Sequence, residues 1–258
     1  MTRRQIKDRR ILITGASSGI GAALARELGR HRARLVLTAR RADRLETLAA
    51  ELRGYASKVI CVPGDITRAE HRAQLIDQGV DAWGGIDILI NNAGIGAIGK
   101  FADADADRLR KVMEVNFFAP VELIRQALPA LRQGNQPLIV NIGSVLGHRA
   151  VPRKSEYCAA KFAMHGFSDS LRAELAEQSI NVLLVNPSTT TSEFFSNVIA
   201  GGNGQKPRGM TPESVAKKTI RAMTTNKQEI ILSAGGKLLV WIDRLLPNLA
   251  NYLVAKFG

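Results

Sequence analysis

Six short aliphatic runs, at 11–14, 34–38, 59–62, 86–90, 138–142 and 182–185, alternate with helix-length amphipathic segments at 20–30, 42–52, 68–83, 105–131, 156–178 and 212–224. The runs are nearly continuous in apolar character, so each predicts a strand buried on both faces. Strands that alternate with helices predict right-handed crossovers and a parallel sheet covered by helices on each side. A further strand at 229–232 extends that sheet. The expected class is therefore α/β, a doubly wound parallel sheet, and 258 residues with 45% hydrophobic content suffice for one such domain over 1–258.

The formal net charge is +13, and much of it sits early, in Arg3, Arg4, Lys7, Arg9, Arg10, Arg30, Arg32, Arg34, Arg40 and Arg41. A nucleic-acid partner would need basic residues with interleaved aromatics, and this chain spreads its charge over helix faces and loops. A solvated basic surface is expected instead, with attraction to anionic lipid or an anionic cofactor as the intermediate reading. Cys61 and Cys158 make neither a disulfide framework nor a ligand spacing, and the four scattered histidines argue against a metal site. A reducing, cytoplasmic location is the default. Residues 1–10 are charged and lack the apolar core of a secretory signal, and no run of about 18 apolar residues predicts a membrane span.

The first strand runs into Thr14-Gly15-Ala16-Ser17-Ser18-Gly19-Ile20-Gly21 and then a helix. Gly15 permits a tight turn, Gly19 lets the backbone approach a phosphate, and Gly21 brings helix and strand together. Backbone N–H groups of the first helical turn then attract a pyrophosphate. The second strand ends at Thr38-Ala39-Arg40-Arg41, where an NAD site would place an acid for the ribose 2′-hydroxyl. Two guanidiniums suit a 2′-phosphate, so NADP(H) is expected, with Arg40 as main contact and Ser17 and Arg41 assisting. Asp65, after the third strand, can accept from an adenine amino group. Asn92, Ala93 and Gly94, after the fourth, would support the cofactor and the neighbouring strands.

Tyr157 and Lys161 are four residues apart on a predicted helix, hence about 5–6 Å apart at Cβ. An ammonium that close favours phenolate and would lower the phenol from its usual ~10 toward neutrality. A phenol so tuned exchanges protons with an alcohol oxygen. Ser144 lies upstream, at the end of a buried strand.

Taken together, the glycine turn, Asp65, Asn91-Asn92-Ala93-Gly94, Asn116, Ser144 and the Tyr157/Lys161 pair resemble the short-chain dehydrogenase/reductase family over about residues 9–235. The resemblance implies a Rossmann-like fold with a seven-stranded parallel sheet, with 9–190 as dinucleotide-binding and catalytic core. It implies hydride transfer between a nicotinamide and a carbonyl or secondary alcohol. Tyr157 would be acid in reduction and base in oxidation, Lys161 would tune it and bond the nicotinamide ribose, and Ser144 would hold the substrate oxygen. Asn116 would hold a water linking Lys161 to solvent. The family usually has Pro-Gly after the sixth strand; this chain has Asn186-Pro187-Ser188-Thr189-Thr190-Thr191, so Pro187 and either Thr189 or Thr191 would face the nicotinamide carboxamide. The alternative is a non-catalytic NADP(H) sensor or scaffold on the same fold.

Residues 188–211 contain a polar, Gly-rich stretch that reads as a surface loop or a substrate lid. The pocket should be lined by Val145, Leu146, His148 and Val151, by the lid, and by part of the tail, which suits a substrate with a hydrophobic body. His148 is expected at the surface or lid. The apolar segment 236–258, divided by Pro247, has three readings: it closes the core edge or pocket, forms a subunit contact, or lies in a membrane interface with Trp241 and Tyr252 at the boundary. Expected partners are a small carbonyl or alcohol substrate and further copies of the chain, as a homodimer or homotetramer, with no nucleic acid.

Overall fold

A computed structural model describes residues 3–191 and 209–257. Seven parallel strands form one sheet in the order β3-β2-β1-β4-β5-β6-β7. They are β1 (Arg10–Thr14), β2 (Arg34–Thr38), β3 (Lys58–Cys61), β4 (Ile88–Asn91), β5 (Leu138–Ile142), β6 (Asn181–Asn186) and β7 (Glu229–Ile231). The fold is the expected Rossmann-like doubly wound sheet. The order reverses between β1 and β4, and this is the crevice where such sheets bind ligands at the strand carboxyl ends.

The reason for the continuous apolar runs is visible in the two cores. Ile11 and Ile13 face one layer with Leu24 and Leu28 of α1 (Gly19–Arg30), Leu45 of α2 (Ala42–Leu52) and Val215 of α7 (Pro212–Thr224). Leu12 faces the other, with Leu75 of α3 (Ala69–Trp83), Leu123 of α5 (Ala119–Arg132) and Leu171 of α6 (Ser155–Glu174). Alternate side chains of one strand are thus buried on opposite faces.

The expected helix at 105–131 is not regular. It begins as α4 (Ala106–Met113), capped by Asp105, passes through a π-helical turn at Glu114–Phe118, and continues as α5. π turns often mark functional positions, and Asn116 sits in this one. The helix expected at 156–178 ends at Glu174 and is followed by a separate short 3₁₀ turn.

The early basic residues are not all solvated, contrary to the sequence expectation. Arg4 is 2% exposed and donates to the carbonyls of Gln136 and Met223 and to Asn226 Oδ1. Arg9 bonds the Asn135 carbonyl, and Arg10 pairs with Asp87 at 2.6 Å. These guanidiniums cap loops at the strands' amino ends, opposite the crevice.

Two helices follow β7. In α8 (Ala234–Leu245) and α9 (Pro247–Phe257), Val240 and Ala250 are buried, while Leu238, Trp241, Leu245, Leu246, Leu249 and Tyr252 are exposed. Arg149 ties both helices to the body through Asp243 and Asn251. Among the described residues, no helix is long and apolar enough to cross a membrane. The lid expected at 188–211 lies mostly outside the described residues.

Candidate active site

A cavity of about 890 Å³ opens at the carboxyl ends of the strands. One end is built from the turn between β1 and α1. Gly15 has φ +67, and a Cβ there would meet Ala93 Cα at 2.8 Å, so the turn closes against the loop after β4. Gly21 does not line the cavity; its role is close packing, because a Cβ would strike the Gly15 carbonyl. Gly15, Ser17, Ser18, Gly19 and Ile20 do line it. Ser18 occupies the N-cap of α1 but makes no capping bond; its hydroxyl instead accepts from Arg41 at 2.7 Å. Arg41 also reaches Ser17 Oγ at 3.2 Å.

Arg40 is exposed at the rim of the same end, and Asp65 lines it too. Burial alone would raise the Asp65 carboxyl. Hydrogen bonds from Thr67 outweigh that, and the nearby Arg40 and His71 charges help, so it lies below its usual range. Asn92 braces the turn by donating to the carbonyls of Thr14 and Gly15. Thr14, which opens the glycine turn, holds it to the loop after β4: its Oγ1 accepts from the backbone N–H of both Asn92 and Ala93. Asn92, Ala93 and Gly94 all line the cavity.

The other end holds Ser144, Tyr157 and Lys161. Ser144 follows β5, while Tyr157 and Lys161 lie on one face of α6. Ser144 and Tyr157 hydrogen-bond through their hydroxyls. Lys161 Nζ lies 5.6 Å from the Tyr157 ring centroid and donates to the Ile142 carbonyl at 2.8 Å. The expected lowering of the phenol does not hold in this geometry. Burial pushes Tyr157 up to about 12, and the Ser144 bond opposes that only in part. Burial also pulls Lys161 down to about 8. Proximity is present, but the ammonium is aimed at a carbonyl, and desolvation disfavours both charged forms.

Asn116 does not line the cavity. Its amide clasps Ile95, accepting from the backbone N–H at 2.9 Å and donating to the carbonyl at 2.9 Å. It therefore straps the helix at its π turn to the loop that carries Ala93 and Gly94. After β6, Pro187, Ser188, Thr189 and Thr190 line the cavity, whereas Thr191 does not: its hydroxyl donates to the Met210 carbonyl. Thr190, which the sequence did not single out, is the buried threonine of this segment. Asn186 was also missed as a site residue. Its Oδ1 accepts from the Ser144 backbone N–H at 3.1 Å, which fixes the serine to the neighbouring strand.

The remaining walls are largely apolar. Val145, Leu146, Val151 and Leu239 contribute, and Gly235 and Gly236 bring the start of α8 to the mouth. His148 is neither a lining residue nor at the surface. Its side chain is 4% exposed and pairs with Glu229 behind the serine loop.

A profile of the family described as short chain dehydrogenase matches residues 9–201. The Dehydrogenase/reductase SDR family protein 7-like of Drosophila melanogaster is 32% identical over 98% of this chain and 82% of its own length. A short chain dehydrogenase from Burkholderia cenocepacia, solved in complex with NADP, aligns with TM-score 0.80 at 26% identity over 91% of this chain and all of its own. A short chain dehydrogenase/reductase from Burkholderia phymatum, solved in complex with NAD, shares the fold with TM-score 0.87 at 23% identity, covering 95% of this chain and 96% of that one. With the matched region spanning six of the seven strands, the glycine turn and the Ser144, Tyr157 and Lys161 cluster, this chain belongs to the short-chain dehydrogenase family of oxidoreductases.

Proposed function

We propose that the protein is an NADP(H)-dependent oxidoreductase that moves a hydride between the nicotinamide and the carbonyl or secondary alcohol carbon of a substrate with a hydrophobic body. The observation that carries this reading is a single cavity joining the glycine turn and Arg40 to the Ser144, Tyr157 and Lys161 cluster. The residues fit a dinucleotide. Gly15, Ser17, Ser18, Gly19 and Ile20 line this end of the cavity, the α1 N-terminus is left uncapped by Ser18, and no acid stands at the end of β2. Gly15 to Ile20 would hold the diphosphate, Arg40 the 2′-phosphate, Asp65 the adenine amino group, and Pro187 with Thr189 or Thr190 the nicotinamide side. When bound, the cofactor supplies the hydride in reduction and receives it in oxidation.

The chain's own groups handle the oxygen and its proton. Ser144 holds the substrate oxygen beside the Tyr157 hydroxyl and stabilises developing alkoxide charge. Tyr157, kept protonated by burial, is the acid of the reductive direction. Lys161, an ammonium below about pH 8, supplies positive charge beneath the ring, and in this reading a water held by Asn116 connects it to solvent. Asn116 also positions the Ala93–Gly94 loop through Ile95. The apolar walls select a hydrophobic body, and ketones and aldehydes of that kind, assayed with NADPH and with NADH, test the reaction.

The phosphate assignment has a separate test. Arg40→Ala should raise the KM for NADPH by about 10- to 100-fold, corresponding to about 1.4–2.8 kcal/mol for a lost charge-assisted bond, with the KM for NADH nearly unchanged. Equal changes for both cofactors would remove Arg40 from the phosphate site.

The same reading takes the protein as a cytoplasmic homodimer or homotetramer that touches anionic membrane through the exposed apolar face of α8 and α9. Cosedimentation with anionic vesicles, lost when residues after Gly235 are deleted, is the expected result. A change of oligomer mass on that deletion without vesicle binding would assign the face to a subunit contact instead.

A further inference from the structure

The sequence spreads its four histidines without ligand spacing, yet the fold brings two of them together behind the serine loop. His148 and His165 stack edge to face with ring centroids 4.2 Å apart. Glu229, at the start of β7, lies against both: its Oε1 is 2.8 Å from His148 Nε2 and 4.0 Å from His165 Nε2. The three ligand atoms fall within 4.8 Å of one another.

The tautomer of His165 gives this cluster its meaning. Its Nδ1 lies 3.1 Å from the Gly147 carbonyl, which can only accept, so Nδ1 carries the hydrogen. A neutral His165 then presents the Nε2 lone pair to Glu229 and to Asp169 Oδ2, 3.4 Å away. A lone pair facing two carboxylates is repelled unless a proton or a metal cation stands between them, and the nearness of His148 Nε2 to the same carboxylate supplies the further donor that a metal, but not a proton, would use. An imidazole whose far nitrogen is fixed by a backbone carbonyl is also the usual arrangement of a metal-ligating histidine.

We propose that His148 Nε2, His165 Nε2 and the Glu229 carboxylate form a site for a divalent transition-metal cation of the zinc class, with the fourth position left to water. Two imidazoles and one carboxylate are a donor set that zinc takes readily, at about 2.0–2.2 Å per bond. The ligand atoms must draw together to close on such an ion, and Glu229 and Asp169 are partly exposed, which gives a way in. Binding displaces the proton that His148 Nε2 shares with Glu229, and that proton leaves to solvent. Glu229 Oε1 keeps a lone pair for Asn186 Nδ2, which donates to it at 2.7 Å. Asn186 holds the Ser144 backbone N–H with its other end, so an ion at this cluster lies two hydrogen bonds from the residue that grips the substrate oxygen. The site itself does not depend on which reaction Ser144 serves.

The test is zinc binding to the full chain after chelator treatment, by calorimetry and by the shift in melting temperature. One ion per chain is expected, with a rise in melting temperature. His165→Gln and Glu229→Gln should each weaken binding at least tenfold, while His31→Gln, at an exposed position, leaves it unchanged. Glu229 is partly exposed on an edge strand, so its variant keeps the test decisive if the His165 variant does not fold. Absence of binding, or binding of equal strength in the Glu229→Gln protein, overturns the proposal.

Discussion

Replacing Tyr157 by Phe is expected to lower kcat for NADPH-driven carbonyl reduction by roughly 10³-fold or more, at the strong end of general-acid effects, while the Kd for NADPH changes by less than about threefold. The hydroxyl is the only atom lost, and it is the group that meets Ser144. Cofactor affinity is spread over the glycine turn, Arg40, Asp65 and the loop after β4, all at the other end of the cavity. Stopped-flow absorbance gives the first quantity, and fluorescence titration of NADPH the second. The pH profile adds a sign. Tyr157, near 12 in the free protein, stays protonated over any practical assay range, so it sets no limb in reduction. Lys161 is charged below about 8 and neutral above it. If its charge assists proton release from the phenol, kcat/KM for NADPH, which reports free-enzyme groups, falls as pH rises through about 8. Alcohol oxidation, which needs phenolate, climbs with pH instead. Turnover retained in the Phe variant would remove Tyr157 from the chemistry. NADPH binding by the wild type without turnover of any carbonyl would favour the sensor alternative.

The parts of this molecule that could be read from sequence are those whose cause is local. Ile11, Leu12 and Ile13 are consecutive because a strand between two helical layers buries both faces, and that pattern located β1 and its neighbours. Spacing of four on a helix put Tyr157 and Lys161 on one face. It could not say where the ammonium points, because the Ile142 carbonyl that takes it comes from the end of β5. Arg4 looked like surface charge because its acceptors, Gln136, Met223 and Asn226, lie more than 130 residues away. Thr190 and Thr191 are chemically alike, and only the bridge to Met210 decides which one turns away from the cavity. His148 and His165 meet because the chain folds back after the serine loop, which no ligand spacing announces.

Arg108→Met is expected to cost about 3–5 kcal/mol of stability, although Arg108 touches no cavity-lining loop by sequence pattern and drew no attention there. Arg108 and Glu156 are 3% and 2% exposed at their side chains and meet at 2.6 Å. Two guanidinium nitrogens reach the same carboxylate oxygen, and one also donates to the Lys100 carbonyl. Removing one charge leaves the other buried without a counterpart, which is far costlier than the pair is favourable. The double variant Arg108→Met/Glu156→Met should therefore recover much of the loss, since two apolar chains of similar length fill the space without stranding a charge. Urea unfolding of the two single variants and the double decides it: a double variant as unstable as the singles would mean that shape, not charge, is what the pair supplies. The carboxyl adds a pH arm. Burial alone would raise Glu156, but its own backbone N–H, Arg108 and Ser155 hold it below its ordinary 4.5. With the folded value depressed, the pair's contribution is complete above about 4.5 and drains away as pH falls through the lower folded value. Glu156 immediately precedes Tyr157, and Arg108 joins α4 to α6 at that point, so acid or mutation that breaks the pair loosens the start of the helix that aims the phenol. The single variants should then lose activity in urea before they lose their global fold, and the double variant should not.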